Sequence, residues 1–433
     1  MRLSTSMLHE LGMTGLHRQQ SEQLRLQEQI ASGRRVNKPS DDPIASAAMV
    51  NIDHARSLNS QYGANAATAL SSLTLEEQAL GDATRVLQDV KTVTVKAGNA
   101  VLTNTDRASL ATELQGLYDE LLGIANRTDA DGSYLFSGFQ GTTQPFTQTA
   151  PGVVAFAGDE GQRLLQVGAQ RRIAIGDSGA EIFQRVREGN GYFVASASAA
   201  NTGTAVVGEG TVRDPQAWLG AAHSGNYTVT FFVDNASPPV TTYDVIDDTS
   251  NVSMLTGLPP AAGPHARTYQ DGAPIVLQRE AGDPSAAAWN AGVDFRLSGA
   301  PASGDTLEVD RAQNRDVFAT IHSLMATLTS PIAPNASSRA AFQNRLNLSN
   351  ASIDRALDQV LTARSATGSR LQELESVRSS SSDLNIHYEA DLSRLRDLDY
   401  AQALSDLTRK QTGLEAAQKS YIAITRLSLF DLI

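Results

Sequence analysis

The chain contains no cysteine, which excludes a disulfide framework, thiolate catalysis and a cysteine-ligated zinc site. Lysine is scarce: Lys38, Lys91, Lys96, Lys410 and Lys419 are the full set, with none between residues 96 and 410. A formal charge of −12 argues against a surface for nucleic acid or an anionic membrane, which would need a basic patch. No apolar run approaches the roughly 18–20 residues of a membrane span. Residues 1–10 lack the continuous apolar core of a secretory leader, so any export is expected to proceed without cleavage of one. Aromatics make up only 6% of the 433 residues, sparse for a globular core of that size but enough for helices packed along a thin seam.

Proline is missing from two long stretches, 44–144 and 335–433. It removes a helix hydrogen bond and clashes with the preceding turn, at a cost of about 3 kcal/mol, so these stretches are where helices can run uninterrupted. Both tryptophans, Trp218 and Trp289, and most of the prolines and glycine-rich turns lie between them. The pattern predicts a mainly α chain whose two ends form a long coiled-coil rod, with a β-rich module inserted between them.

Residues 3–32 read as a helix with a weak seam: Leu16, Gln19, Gln23, Leu26 and Ile30 follow three- and four-residue spacing, but two of the five are glutamine. Such a segment is expected to fray in a free monomer and to order against neighbours. Gly33 stops it. Ser40-Asp41-Asp42-Pro43 is a helix start, with side-chain acceptors and carboxylates at the positive dipole end and proline in the first turn. The helix that follows carries Ile52, Ala55, Tyr62, Ala66, Ala69, Leu73, Leu80, Ala83, Leu87 and Val90 on one face. Running to Ala97, it would be roughly 80 Å long. Leu110, Leu114, Leu117, Leu121 and Ile124 mark a second helix with a heptad-like seam.

From Asp131-Gly132 onward, short β-type runs alternate with turn residues. Residues 227–233 and 240–245 read as a hairpin. Whether the middle holds one module or two stays open. Helix is expected again from Ala312 to Ser330 and after Ser337-Ser338. A weak point is expected at Ser379–Ser382, since serine prefers caps to helix interiors, with Asp383 recapping. The last helix places Tyr400, Ala403, Leu407, Leu414, Ala417, Tyr421 and Ile424 at heptad positions, interrupted by Lys410, and ends in the apolar stretch 427–433.

Candidate chemistry is thin. Gly176-Asp177-Ser178-Gly179 matches the string around a serine-protease nucleophile, but a turn is the simpler reading, because His9, His17 and His54 all fall on rod helices. The seven histidines form no His-x-x-x-His pair, and no phosphate-binding Gly-x-x-x-x-Gly-Lys string occurs. We therefore expect no catalytic, cofactor or metal site. Asp41-Asp42, beside Pro43, reads as a cap rather than an acid/base pair.

The motifs Arg2-Leu3-Ser4-Thr5, the run from Ser32-Gly33-Arg34-Arg35 to Asp41-Asp42-Pro43, Tyr134-Leu135-Phe136-Ser137-Gly138, Asp397-Leu398-Asp399-Tyr400-Ala401, Leu414-Glu415-Ala416-Ala417-Gln418 and Leu427-Ser428-Leu429-Phe430 together resemble the hook–filament junction (hook-associated protein 3, FlgL) family of flagellin-like chains. The resemblance covers roughly 1–145 and 310–433. It implies an extracellular, non-enzymatic structural protein of the bacterial flagellum, exported through the flagellar type III apparatus and self-associating into a ring. Its implied partners are the other hook-associated junction protein, flagellin, and an export chaperone at the C-terminal segment.

The expected organisation is a terminal assembly helix and connection at 1–42, rod helices at 43–145, a β-rich module at 146–309, returning rod helices at 310–396 and a second assembly helix at 397–433. The expected assembly residues are Leu3, Leu16, Leu26, Ile30, Tyr400, Leu407, Leu414, Tyr421, Ile424, Leu429 and Phe430. Gly33, Asn37, Ser40, Asp41, Asp42 and Pro43 are expected to form the connection and cap. Two rival readings are flagellin itself and a secreted adhesin or effector with a helical stalk.

Overall fold

The structure, a computed structural model, describes residues 5–220, 224–234, 236–285 and 287–430. The chain opens with three helices, α1 (Thr5–Ser32), α2 (Pro43–Ala97) and α3 (Asn104–Ala125), and closes with three more, α5 (Val317–Thr329), α6 (Ala336–Arg396) and α7 (Tyr400–Phe430). Between them, among the described residues, lie a short helix α4 (Pro215–Leu219), a π turn at Ala180–Gln184 and sixteen strands. The first eight are β1 (Phe146–Ala150), β2 (Val153–Phe156), β3 (Leu164–Gly168), β4 (Arg171–Ala174), β5 (Val186–Arg187), β6 (Phe193–Ala197), β7 (Val206–Val207) and β8 (Thr211–Val212). The remainder are β9 (Asn226–Val233), β10 (Thr241–Asp247), β11 (Val252–Ser253), β12 (Arg267–Thr268), β13 (Pro274–Gln278), β14 (Asn290–Ser298), β15 (Thr306–Arg311) and β16 (Asn314–Arg315).

Local chemistry explains most helix starts. Thr103 and Asp106 form a capping box: the Thr103 hydroxyl accepts the Asp106 N–H at 3.2 Å and the Asp106 carboxylate accepts the Thr103 N–H at 2.9 Å. Asp316 caps α5 by accepting the Phe318 N–H at 2.7 Å. That helix was expected from Ala312. It begins later because Asn314 and Arg315 pair with Arg187 and Val186 in β5, and a strand pairing claims the backbone first.

Two compact units emerge, both discontinuous in sequence. The first comprises the described parts of 1–67, 166–171 and 375–433; the second comprises 68–165 and 172–374.

In the first unit, α1 packs on α7, and the first turns of α2 meet the last turns of α6. The buried apolar set is thin: Val36, Ala45, Ala66, Val167, Leu392 and Ala403. The expected break at Ser379–Ser382 does not occur, since α6 runs through it. The Asn59 amide donates 2.8 Å hydrogen bonds to the Ser381 carbonyl and to the Asn385 side chain. A Cβ on Gly63 would lie 3.3 Å from the Ser381 hydroxyl. Small residues let the helices close in, and that contact overrides the weak local propensity of serine.

The second unit holds two hydrophobic clusters. One is helical, built from Leu80, Leu87 and Val90 of α2, Leu114, Tyr118 and Leu121 of α3, Phe318, Ile321 and Leu324 of α5, and Phe342, Ile353 and Val360 of α6. Phe146, Val154, Phe183 and Val186 from the first part of the β region join it, with Phe318 5.6 Å from the Phe146 ring and 5.8 Å from Tyr118. Salt bridges Arg364–Glu77 (2.7 Å) and Lys91–Asp354 (2.5 Å) tie α2 to α6.

The other cluster is a β-sandwich. One sheet has the order β11-β10-β9-β15-β6, with β12 also on β10; the second has the order β13-β14-β7, with β8 also on β14. Tyr227, Val229 and Phe231 alternate inward along β9, and in its hairpin with β10 Val229 faces Val245 and Phe231 faces Tyr243. Trp218 and Trp289 are both buried here. The Trp218 indole N–H donates to the Tyr192 carbonyl at 2.8 Å. Arg267, buried with Asp283, forms a 2.7 Å ion pair with it and donates to the carbonyls of Val276 and Gln278. The β region thus feeds two cores: its first strands belong to the helices, and the rest enclose their own.

Candidate assembly interface

The corner after α1 is built by backbone geometry. Gly33 has φ +69°, and a Cβ there would come within 2.8 Å of the Tyr400 hydroxyl. Any other residue would strain the backbone and push the Tyr400 hydroxyl aside. Beyond Gly33 the chain is extended, and Arg34 bridges Asp397 in antiparallel fashion. The Arg35 N–H donates to the Arg396 carbonyl at 2.7 Å, the Leu398 N–H to the Gly33 carbonyl at 3.0 Å, and the Arg35 guanidinium to the Leu395 carbonyl at 2.7 Å. The connection after α1 and the connection between α6 and α7 are one structure.

Asp41 turns back: its carboxylate accepts the N–H groups of Lys38 (3.0 Å) and Asn37 (3.1 Å), which hold it below the usual carboxylate range. The Asn37 side chain accepts from the Ser32 hydroxyl at 2.9 Å. Capping of α2 falls to Asp42, which accepts the Ala45 N–H at 2.9 Å and is depressed chiefly by that bond. Pro43 is the first helical residue, and Ser40 lies exposed in the turn. Asp399 caps α7 through the N–H groups of Ala401 (3.0 Å) and Gln402 (3.1 Å). Sequence reading passed over that cap, although an aspartate just ahead of a heptad run is the ordinary signal for one.

Along the antiparallel pair, Gly12 and Glu22 of α1 and Gly33 just beyond it meet Tyr421, Lys410 and Tyr400 in reverse order. A Cβ on Gly12 would touch the Tyr421 ring at 2.8 Å. The His9 imidazole meets Tyr421 edge-on, with centroids 5.4 Å apart. Lys410, which looked like an interruption in an apolar stripe, forms a 2.5 Å ion pair with Glu22, and that lysine holds the Glu22 carboxyl below its ordinary range. A lysine at a heptad position implies a facing carboxylate, but only pairing of the two ends identifies which one.

Because the pair fixes register, charge reversal tests it. Glu22→Lys and Lys410→Glu should each accelerate hydrogen exchange along α1, and combining the two should restore protection.

Of the expected assembly residues, Leu16, Leu26 and Ile30 are half-buried on α1, as are Leu407, Leu414 and Tyr421 on α7. Tyr400 stays 51% exposed beside Gly33. Leu3 and the side chains of Ile424, Leu429 and Phe430 lie outside the described residues. Expected to be poorly ordered in a lone chain, residues 5–32 are instead helical and laid against α7 of the same subunit. The weak seam is shared by two helices, and an outward apolar set is left over: Met7, Leu11, Met13, Leu24 and Leu404, with Leu11 at 59% and Leu24 at 65% exposure.

Ser178 has no catalytic setting. It is buried, its hydroxyl donates to the Asp159 carbonyl at 3.2 Å, and its neighbour Asp177 is held by two 2.9 Å bonds from Arg370. Among the described residues no helix is long and apolar enough to cross a membrane.

Residues 3–141 match the bacterial flagellin N-terminal helical region. The whole chain aligns with 99% of the flagellar hook-associated protein 3 of Escherichia coli (strain K12) at 28% identity over 432 residues. Crystal structures of the flagellar junction protein FlgL from Legionella pneumophila and of FlgL from Xanthomonas campestris are each 30% identical to it. The first covers 81% of this chain and 100% of its own, with a TM-score of 0.67; the second covers 79% and 99%, with a TM-score of 0.65. A helical pair made from both chain ends, a shared corner and a β insertion, carried on a sequence related along its full length, place this chain in the FlgL family of flagellar hook-associated junction proteins.

Proposed function

We propose that the α1–α7 pair and the Gly33–Pro43 corner are the surface through which subunits join one another into a ring between hook and filament. As a flagellar hook–filament junction protein the chain is structural rather than enzymatic, and it stands outside the cell. The observation that carries the reading is the apolar set Met7, Leu11, Met13, Leu24 and Leu404, exposed on a helix pair already fastened on its other side. Met7 and Leu11 lie on one flank of α1 and Met13 and Leu24 on another, so the exposed apolar side chains support contact with neighbours on more than one side.

On this reading residues 1–42 and 397–433 are the assembly segments, with Leu3, Ile424, Leu429 and Phe430 continuing the set formed by Leu16, Leu26, Ile30, Leu407, Leu414 and Tyr421. Residues 43–145 and 310–396 carry them, and 146–309 forms the inserted module. The neighbours are the other hook-associated junction protein on one side and flagellin on the other, and an export chaperone covers the C-terminal segment before assembly. Seeded growth separates this role from that of a filament subunit. Purified subunits added to filament fragments should attach and stall, whereas sustained growth of long homopolymers would reassign the chain to flagellin.

A further inference from the structure

We propose that Met7 and Met13 form a peroxide-sensitive site on the free subunit, where oxidation of both thioethers to sulfoxides turns the two apolar flanks of α1 polar and blocks joining to neighbours. The proposal rests on the reading that α1 and α7 carry the assembly surface, and it deepens that reading by naming a chemistry that switches the surface off.

The chain has six methionines and no cysteine, so methionine supplies its only sulfur and its readiest target for a two-electron oxidant. Exposure among them is uneven. Met7 is 53% and Met13 44% exposed, whereas Met325 is 8% exposed within the helical core. Met49 and Met254 are half-buried, and Met254 packs against the sandwich core. Met1 lies outside the described residues. Among the described methionines, the two open to solvent stand on one helix.

Their placement follows from helix geometry. The direction in which α1 meets α7 is marked by Gly12, where a Cβ would touch the Tyr421 ring, and by the half-buried Leu16, Leu26 and Ile30. At 3.6 residues per turn, Met7 and Leu11 lie about 120° to one side of that direction, and Met13 and Leu24 about 110° to the other. Each exposed flank thus carries one methionine and one leucine, and a neighbour seated on either flank covers a sulfur. Methionine suits such a place, because its unbranched, polarizable side chain adapts to the surface it meets.

Oxidation removes that fit. The thioether sulfur gives a lone pair to one oxygen of hydrogen peroxide, the O–O bond breaks, and the other oxygen leaves as water. The sulfur is oxidised by two electrons and the peroxide reduced by two. The new sulfoxide oxygen is a strong acceptor, and covering it with apolar side chains leaves it unpaired. In the free subunit both sulfoxides face water, away from the α7 contact, so the helix pair persists and only joining is lost.

The test treats the full-length chain with dilute hydrogen peroxide, maps sulfoxides by peptide mass spectrometry and measures attachment to filament fragments. Met7 and Met13 should oxidise before Met49 and Met254, with Met325 last. Attachment should weaken about tenfold or more while the circular dichroism spectrum stays unchanged. It should return after treatment with the two methionine sulfoxide reductases, one for each epimer. A Met7→Leu/Met13→Leu chain keeps both flanks apolar and should attach as the parent does, before and after peroxide. Full attachment by a chain oxidised at both positions would overturn the proposal. So would an equal loss of attachment in the peroxide-treated leucine variant. Failure of the untreated chain to attach at all would instead remove the assembly reading, and this proposal with it.

Discussion

Leu407→Asp is expected to abolish incorporation into the flagellum and to leave the second unit folded. Leu407 is half-buried on α7, within a pair whose whole interior consists of half-buried side chains and Ala403. Removing a leucine from a core costs about 2–5 kcal/mol when burial is complete, and less here. The added carboxylate then loses solvation with no cation positioned for it, since Lys410 is already engaged by Glu22. A seam this thin has little reserve, so the pair opens and the surface it displays is lost. Both tryptophans sit in the sandwich core, so near-ultraviolet circular dichroism should be unchanged while motility disappears. Leu414→Asp should behave alike, and Leu407→Met should be tolerated. Wild-type swimming by the aspartate variants would refute the assignment of this face.

The second large effect is a pH dependence centred on Glu76. This α2 residue is only 1% exposed. One carboxyl oxygen accepts the Asp177 N–H at 2.9 Å, and the other is buried without a partner. Burial first, and the charge of Asp177 second, push its pKa up to about 7. In the unfolded chain the same group titrates near its ordinary 4.5. Between those values the folded state holds a proton that the unfolded state releases, so stability falls as pH rises from 4.5 to 7 and then levels off. The full excursion is about 3 kcal/mol. Glu76→Gln preserves the acceptor and removes the titration. Denaturant melts at pH 5 and pH 8 should therefore differ between parent and variant by about that amount, with the variant the more stable at pH 8. Identical pH profiles would mean that the carboxyl is ionised in place.

Much of the fold is written in local signals. The gap in the proline pattern marks α2 and α6, the leucines of 110–121 mark α3, and the β9–β10 hairpin shows as two alternating runs around turn residues. What stayed hidden is long-range. Ser379–Ser382 looks like a break until Asn59, more than three hundred positions away, bonds to Ser381. Residues 312–316 look helical until β5 pairs with them. Lys410 looks like a defect until α1 brings Glu22 against it. Along the α1–α7 pair the half-buried leucines of α7 follow the heptad count, but the caps divide differently from the sequence reading: Asp42 takes α2, Asp399 takes α7, and Ser40 does neither.

The bridge between Arg34 and Asp397 carries a consequence for how the molecule comes to be. Its two halves are separated by nearly the whole polypeptide, so no amount of local ordering near the start can complete it. Closing so large a loop is entropically expensive and slow unless the intervening elements have already drawn the ends together. The clasp therefore forms late in folding, once the interior has consolidated. Until then the corner stays unlatched, and the course of the chain into α2 and α7 is not yet fixed.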